Sequence, residues 1–392
     1  MSQISTFSFP TTILYGVGAV KELKAAMEEL EIRKPIVITD PPLSKTESFK
    51  ILTDVLESHG KDYTIFTEVH PNPLDEDVVK ALEVYKKESC DGIIGIGGGS
   101  PLDTAKALAV LAANGGRLAD YDVQQGGGAR ITETLPPIIG IPTTAGTGSE
   151  VGKCAVITSS TEHRKFMVCH PRMVPSRAIL DPQLTVTLPA HLTAYTGMDA
   201  LTHNIESLTA PVFHPLCDAI AVKGIEFVAR YLRRAVENPA DLEARGHMLL
   251  AASMGAIAFQ KDLGAAHSLS HALSAVAGVQ HGLANAICLI PVMRFNLDVA
   301  KDRYALIPPF FGVNSFNMSD QEAAEAAIEE IKKLSQAIGI PGSLREIGIK
   351  EEQFDEILDK AYRDPCHLTN AKPCSAADLH ELLKEAWRGE DR

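Results

Sequence analysis

Five side chains that could bind a metal ion or carry a proton fall on three short segments in the second half of the chain. They are Asp199, His203, His267, His271 and His281. Asp199 and His203 are four residues apart, as are His267 and His271, which puts each pair on one face of a helix. One carboxylate with imidazoles and no thiolate suits Fe²⁺, Zn²⁺, Mn²⁺ or Co²⁺ better than Ca²⁺ or Mg²⁺. The pattern therefore predicts a catalytic transition-metal site.

A glycine-rich loop in the first half is suited to phosphate. The apolar run ending at Ile96 leads into Gly97, Gly98, Gly99 and Ser100 at the start of a predicted helix. Glycines let the backbone approach a pyrophosphate, and the N–H groups and dipole at a helix start attract its charge. Three consecutive glycines depart from the common G-x-G-x-x-G fingerprint, so a simple Rossmann domain is disfavoured. A plain glycine turn is the alternative.

Two other polar positions follow apolar runs in the same way. Asp40 comes after Ile36–Thr39, at the carboxyl end of a predicted strand, and could bind the adenosine ribose. A carboxylate there would repel a 2′-phosphate, so NAD is favoured over NADP. The loop after Ile138–Ile141 carries the hydroxyl groups of Thr143, Thr144 and Thr147. A turn role for Asp40 and a capping role for the threonines are the alternatives.

Alternating strand-like and helical segments position these residues. In the first half, short β-rich runs with amphipathic stretches between them predict an α/β nucleotide-binding domain over residues 1–185. Residues 186–392 are predicted as an all-helical metal-binding and substrate domain. The helical patterns there run over His191–Leu208, Pro215–Arg234 and Leu242–Phe259. The glycines at positions 126–128 predict a flexible surface loop.

Composition excludes several classes of partner. With 37 Lys and Arg against 50 Asp and Glu, the net charge of −13 disfavours nucleic acid and anionic membranes. The first ten residues lack a basic and apolar leader, and no run of about 18 uncharged apolar residues occurs. We expect a cytoplasmic protein that forms a homodimer or a higher homo-oligomer.

The seven cysteines are an odd number without any C-x-x-C pair. They predict neither a disulfide framework nor a thiolate zinc site, and we expect them to be reduced and mostly buried.

Taken together, these motifs resemble the iron-containing (group III) alcohol dehydrogenases, of the lactaldehyde reductase and 1,3-propanediol dehydrogenase type. The resemblance extends from Phe9–Pro10 through Asn370. It implies a dehydroquinate synthase-like fold with NAD and the metal in the cleft between the domains. Metal ligands are implied at Asp199, His203, His267 and His281, and proton transfer at His271. Cofactor contacts are implied at Asp40, Asn72, Gly97, Gly98, Gly99, Ser100, Asp103, Lys106, Thr143, Thr144, Thr147 and Lys165.

The chemistry so implied is hydride transfer between a small primary alcohol or aldehyde and C4 of the nicotinamide. The resemblance implies Fe²⁺ as the metal, with Zn²⁺ as the alternative. Either divalent ion would polarise the substrate oxygen. His271 would relay the proton, because an imidazole exchanges protons near neutral pH.

Two other functions stay open at this point. A dehydroquinate synthase-type NAD-dependent lyase would share the fold, but its polyanionic substrate needs several cations near the metal. Only Lys153, Lys261 and Arg294 lie near the ligands in sequence. A non-enzymatic nucleotide-binding structural protein would leave all five metal-site residues without a role.

Unusual residues after Glu150, among them Lys153, suggest an aldehyde with an anionic tail as substrate. A solvent-facing Lys153 is the alternative.

Overall fold

The computed structural model describes Phe9, residues 11–58, Gly60, residues 62–161 and residues 164–389. Residues 1–8 and Pro10, on which the expected absence of a leader rests, lie outside these described residues. Two compact units divide at Leu188 and Pro189. The sequence prediction put the domain boundary after residue 185.

The N-terminal unit is built on a six-stranded parallel sheet in the order β1-β8-β5-β4-β2-β3. Its strands are β1 (Thr12–Tyr15), β2 (Pro35–Ile38), β3 (Thr64–Phe66), β4 (Gly92–Gly97), β5 (Ile138–Pro142) and β8 (Arg177–Leu180). Every residue of β2, β4 and β5 is buried, which explains their uninterrupted apolar sequence. A separate antiparallel hairpin consists of β6 (Cys154–Thr158) and β7 (Lys165–Cys169).

Helices accompany both faces of the sheet. They are α1 (Leu23–Glu29), α2 (Glu47–Ser58), α3 (Asp75–Lys87) and α4 (Gly99–Asn114). Side chains alternate between two cores along β2, since Ile36 and Ile38 enter one core and Val37 enters the other. The chain reverses its direction across the sheet where β2 lies beside β4. Open α/β sheets bind ligands at such a switch point, beyond the carboxyl ends of the strands.

The glycine run at positions 126–128 lies in a turn-rich segment. Two short 3₁₀ turns, Val123–Gln125 and Gly127–Arg130, form the segment for which a flexible surface loop is predicted. Gly127 is buried, and a Cβ atom at this position would lie 2.2 Å from the carbonyl carbon of Tyr121. Glycine at position 127 is therefore needed for close backbone packing, while Gln124, Gln125 and Gly126 lie at the surface as predicted.

All regular elements described from Pro189 onward are helical. They are α5 (Ala190–Thr209), α6 (Pro215–Glu237), α7 (Leu242–Ala258), α8 (Ala265–Ala277), α9 (His281–Tyr304), α10 (Asp320–Ala337), α11 (Phe354–Arg363) and α12 (Ala376–Arg388). The fold class predicted from sequence, an α/β unit followed by a helical one, is thus confirmed. Helix α9 is long and apolar enough to cross a membrane, but 67% of its apolar window is buried inside the protein. Packing in the helical core accounts for its composition.

Candidate metal centre and nucleotide loops

Three helices of the C-terminal unit bring four predicted metal ligands together. Asp199 and His203 lie one turn apart on α5, His267 lies on α8, and His281 is the first residue of α9. One donor atom from each of the four falls within 4.8 Å of all the others. All are buried except His281, which is partly exposed. A carboxylate and three imidazoles sharing one buried point form a candidate metal centre.

The distances between these donors suit a first-row transition metal. Oδ1 of Asp199 lies 3.4 Å from Nε2 of His281, 3.9 Å from Nε2 of His267 and 4.0 Å from Nε2 of His203. Nitrogen and oxygen ligands bound at about 2.0–2.2 Å around a tetrahedral ion lie roughly 3.4 Å apart. The separation of Asp199 from His281 has this value, and the other two exceed it by about 0.5 Å, so the four residues fit a first-row transition metal once the site closes slightly around the ion.

Burial keeps His267 in the protonation state that a metal ligand requires. Its pKa is held well below the usual range by burial first, and then by the nearby His203 and His271. The neutral ring donates from Nδ1 to Oε2 of Glu206 over 2.5 Å, which leaves the Nε2 lone pair for a metal. The ring of His281 is held in a similar way, because its Nδ1 lies 2.9 Å from Oγ of Ser270.

Glu206 is a functional residue that the sequence analysis missed. It is buried on α5 and accepts a hydrogen bond from the backbone N–H of Ala266 as well as from His267. Burial raises the pKa of Glu206 to about 7, although the backbone donors Ala266 and Gly264 oppose the rise. A signal was available, since Glu206 follows His203 by three residues on the helix that carries two of the ligands.

Asn285, one turn after His281 on α9, contacts three of the four donors. Its Nδ2 donates to Oδ1 of Asp199 over 2.8 Å and lies 3.2 Å from Nε2 of both His267 and His281. The amide nitrogen therefore lies where these three donor atoms converge, and since it carries only two N–H groups it cannot donate to all three. The sequence analysis did not select Asn285, although its spacing from His281 puts both on one helix face.

Gly282 allows α9 to approach α5 closely. A Cβ atom at Gly282 would lie 2.3 Å from the backbone oxygen of Tyr195 and 3.2 Å from Cβ of Asp199. Any larger residue would push the start of α9, and His281 with it, away from Asp199. This glycine therefore helps to set the spacing of the ligands.

His271 lies beside the four ligands rather than among them. Its ring stacks on His281 with the centroids 5.2 Å apart, and its Nδ1 lies 2.8 Å from Oδ2 of Asp364. Burial opposes ionisation of Asp364, but His271 and the N–H of Cys366 outweigh it and lower the pKa of this carboxyl below its usual range. Asp364 is therefore charged at neutral pH and orients the His271 ring. The sequence analysis gave Asp364 no such role.

In the N-terminal unit, the two predicted nucleotide loops pack against each other at the ends of β4 and β5. The N–H of Thr143 donates to the backbone oxygen of Gly97 over 2.9 Å. A Cβ atom at Gly99 would lie only 2.9 Å from Cγ2 of Thr147, and one at Gly98 would lie 3.4 Å from Cγ2 of Thr144. Glycine is thus needed at position 99 for the loops to meet, whereas the contact at position 98 is an ordinary one. The start of α4, with Gly99 and Ser100 as its first residues, lies at this junction.

Asp103 and Lys106 tie α4 to its neighbours. Oδ1 of Asp103 accepts from Oγ of Ser149 over 2.5 Å, and Oδ2 accepts from the N–H of Val156 over 2.9 Å. Buried Lys106 pairs with Asp103 over 3.1 Å and donates to the backbone oxygen of Cys154. These contacts brace α4 against the second loop and the hairpin.

The remaining predicted cofactor residues lie around this junction. Asp40 follows β2 and accepts from the N–H of Leu43 over 2.8 Å, while burial raises the pKa of Asp40. Asn72 is exposed, and its neighbour Pro71 accepts a 2.7 Å hydrogen bond from Oγ of Ser100 in the glycine-rich loop. Lys165 begins β7, and burial lowers its pKa, with Asp103 opposing the shift. Lys153 is exposed.

The predictions that the cysteines are all reduced and mostly buried are wrong, and only Cys90, Cys217 and Cys288 are buried. Cys154 and Cys169 are joined by a disulfide that links the ends of β6 and β7. The sequence gives no sign of this bond, because nothing in the spacing of the two cysteines shows that their strands pair in this register.

The whole chain matches one protein family. The model of the iron-containing alcohol dehydrogenases matches residues 10–182, and the model of the C-terminal part of that family matches residues 193–387. The chain belongs to the iron-containing alcohol dehydrogenase family. The predicted fold, NAD-dependent alcohol dehydrogenase activity and cofactors, NAD and iron, are those of this family.

Several relatives within the iron-containing alcohol dehydrogenases are similar over their full length. The chain is 37% identical to the NAD-dependent methanol dehydrogenase of Bacillus methanolicus, covering 98% of this chain and 100% of the relative. It is 38% identical to the 4-hydroxybutyrate dehydrogenase of Cupriavidus necator, over 96% and 98% of the two chains. A solved 1,3-propanediol oxidoreductase is 35% identical, with a TM-score of 0.94 over 98% and 100%. These relatives support dehydrogenase chemistry over the lyase and the structural protein.

Proposed function

We propose that this protein interconverts a small primary alcohol and its aldehyde with NAD(H), using the four-residue centre of the C-terminal unit. The reaction class follows from the family; the assignment of residues is our proposal. The observation that carries it is the convergence of Asp199, His203, His267 and His281 on one buried point, with donor atoms within 4.8 Å. Such a site holds a divalent ion, which when bound supplies a Lewis acid that polarises the substrate oxygen.

The surrounding residues prepare the chemistry. Glu206 holds Nδ1 of His267, and Ser270 contacts the same atom of His281, so both rings direct Nε2 toward Asp199. Asp364 holds Nδ1 of His271, which leaves Nε2 as the atom that takes up or returns the alcohol proton. His271 is the proton relay of this scheme.

In the N-terminal unit, the glycine-rich loop and the start of α4 bind the pyrophosphate through backbone N–H groups. Thr143, Thr144 and Thr147 add hydroxyl donors, and Asp40 accepts hydrogen bonds from the ribose. Lys165 contributes a positive charge close to Asp103 while it is protonated, and in its half-buried position water screens the attraction of that charge for an anionic cofactor less.

We also propose a cytoplasmic homo-oligomer without nucleic-acid or membrane partners. The net charge of −13 supports the exclusion of polyanionic partners. Large apolar side chains remain exposed in the isolated chain, for instance Phe213 at 73%, Phe316 at 91% and Leu368 at 74%. Contact with further copies of the chain would bury some of them.

The test is NADH formation from NAD and alcohols after reconstitution with Fe²⁺ or Zn²⁺. We expect metal-dependent accumulation of NADH with at least one of methanol, 1,3-propanediol and 4-hydroxybutyrate. A lyase would regenerate its NAD in each turnover and accumulate none. Comparison of the carboxylated and neutral alcohols in wild type and Lys153→Ala then decides whether an anionic tail is preferred. Absence of NADH with every alcohol and metal would contradict the proposed function.

A further inference from the structure

The two ends of the β6–β7 hairpin are joined by the pair Cys154 and Cys169. They face each other directly across the two strands, with Cα atoms 4.1 Å apart. This is the spacing of a non-hydrogen-bonded pair, in which opposing side chains approach most closely. Both residues are partly exposed. A small thiol reagent can therefore reach a pair that the fold holds in position to form and break a disulfide.

The backbone of Cys154 is hydrogen-bonded directly to α4, the helix that follows the glycine-rich loop. The backbone oxygen of Cys154 accepts a hydrogen bond from buried Lys106, which is also ion-paired with Asp103 over 3.1 Å. Two residues further along β6, the N–H of Val156 donates to the other oxygen of Asp103. Movement at the end of β6 therefore reaches two residues of α4, whose first turn is the proposed pyrophosphate site.

Side chains on the same face of the hairpin also belong to the proposed cofactor region. Burial alternates along both strands, so Cys154, Val156, Lys165, Met167 and Cys169 share the partly exposed face. Lys165 on this face interacts electrostatically with Asp103. The disulfide thus closes the end of a face that presents a proposed cofactor cation.

We propose that Cys154 and Cys169 form a reversible thiol–disulfide site whose oxidised state favours NADH binding at the neighbouring glycine-rich loop. The redox site stands on the cysteine geometry alone, whereas the coupling rests on the proposed function. In the oxidised state the disulfide fixes the carbonyl to which Lys106 donates, so α4 is held in its binding arrangement. Reduction releases this end of the hairpin, and ordering it again on binding lowers affinity.

The exchange needs a dithiol as reductant. Its thiolate attacks one sulfur of the Cys154–Cys169 bond, the other cysteine leaves as a thiolate, and a mixed disulfide forms. The second thiol of the reductant then attacks the mixed disulfide and releases the first cysteine. The protein gains two electrons and two protons, and the reductant becomes a disulfide.

The experiment uses the full-length, metal-reconstituted protein in mixtures of oxidised and reduced dithiothreitol. Alkylation followed by mass spectrometry counts thiols at the two cysteines, and fluorescence titration gives the Kd for NADH in each mixture. The double variant Cys154→Ser with Cys169→Ser removes the site. Cys374→Ser is the matched control, because Cys374 is a partly exposed free cysteine of the C-terminal unit.

We expect both thiols to appear together on reduction and the Kd for NADH to rise about threefold or more, as expected for releasing one ordered segment. The double variant should show the reduced-state Kd in every mixture, and Cys374→Ser should respond like wild type. The proposal would be overturned if Cys154 and Cys169 keep the same oxidation state in every mixture, or if the Kd for NADH is the same in the oxidised and reduced protein. Cycling cysteines without NADH binding in either state would overturn the proposed nucleotide role and the coupling, while supporting the redox site.

Discussion

Nδ1 of His271 lies 2.8 Å from Oδ2 of Asp364, a residue 93 positions further along the chain. Asp364 also accepts hydrogen bonds from Oγ of Ser268 and from the N–H of Cys366. Three donors therefore fix this carboxylate, and the carboxylate in turn fixes the His271 ring. In the proposed mechanism Asp364 is a positioning residue, since it acts on the substrate only through His271.

Replacing Asp364 by Ala should lower kcat by about 10- to 100-fold, because His271 loses its orientation. The shape of the pH profile of kcat should change as well. A purely structural defect would instead lower kcat by the same factor at every pH. Combining Asp364→Ala with His271→Ala should cost little more than His271→Ala alone. Steady-state kinetics of the three variants across pH checks this, and fully additive losses would contradict the positioning role.

Asp364 should also stabilise the fold at neutral pH. Because its folded-state pKa is lowered, its stabilising contribution is present above the unfolded carboxyl pKa and is lost as the pH falls through the folded value. The difference in unfolding free energy between wild type and Asp364→Asn should therefore shrink as the solution is acidified. Urea denaturation at neutral and acid pH measures it, and a difference that grows on acidification would contradict the assignment.

Glu206→Ala should weaken metal binding without removing a ligand. The variant leaves Nδ1 of His267 without its acceptor, and such outer contacts are worth about 10- to 100-fold in metal affinity. Glu206→Gln is the matched control, because an amide oxygen can still accept from this nitrogen. Competition with a chromophoric chelator gives the affinities. Equal affinity in the wild type and the Ala variant would show that Glu206 does not support the centre.

Alkaline pH should weaken NADH binding through Lys165. A lysine attracts the cofactor only while it is protonated, so its contribution is full below its pKa and is lost as the pH rises through that value. Burial lowers this pKa, and the loss should therefore begin at a lower pH than for an exposed lysine. Lys165→Arg should keep its affinity at alkaline pH, whereas Lys165→Met should bind weakly throughout. Titrations with NADH across pH decide, and identical profiles for all three proteins would exclude a role for Lys165.

Gly282→Ala should destabilise the C-terminal unit, because its Cβ atom would lie 2.3 Å from the backbone oxygen of Tyr195. Overpacking of this kind costs about 1–3 kcal/mol and should also loosen the metal site by displacing His281. Val299→Ala is the control, since Val299 lies on the same helix and is 50% exposed. Thermal unfolding and metal analysis of both variants measure the effects. A Gly282→Ala protein as stable as the control would show that α9 can move freely.

The sequence predicts those strands and helices whose pattern of apolar residues is visible within a short stretch of chain. Strands β2, β4 and β5 are buried on both faces, so their apolar runs stand out in the sequence. The edge strands β1 and β3 are short and have exposed positions, so no apolar run predicts them. Among the helices, the sequence pattern predicts one over His191–Leu208, and the structure has a helix over Ala190–Thr209.

The site followed the same rule. The pairs Asp199 with His203 and His267 with His271 each lie one turn apart on a helix, and that spacing is visible in the sequence. The contact from His271 to Asp364 and the bond from Cys154 to Cys169 join different elements. Only the packing of helices and the pairing of strands creates these contacts, so no local pattern could reveal them.

The central claim is that Asp199, His203, His267 and His281 hold the catalytic metal. The most direct measurement is the metal content of purified His267→Ala, reconstituted with Fe²⁺ or Zn²⁺, together with its Kd for NADH and its turnover. We predict that this variant retains no stoichiometric metal and has no measurable turnover, while NADH binds as in wild type. A variant that keeps one bound ion per chain, or that turns over without metal, would contradict the account.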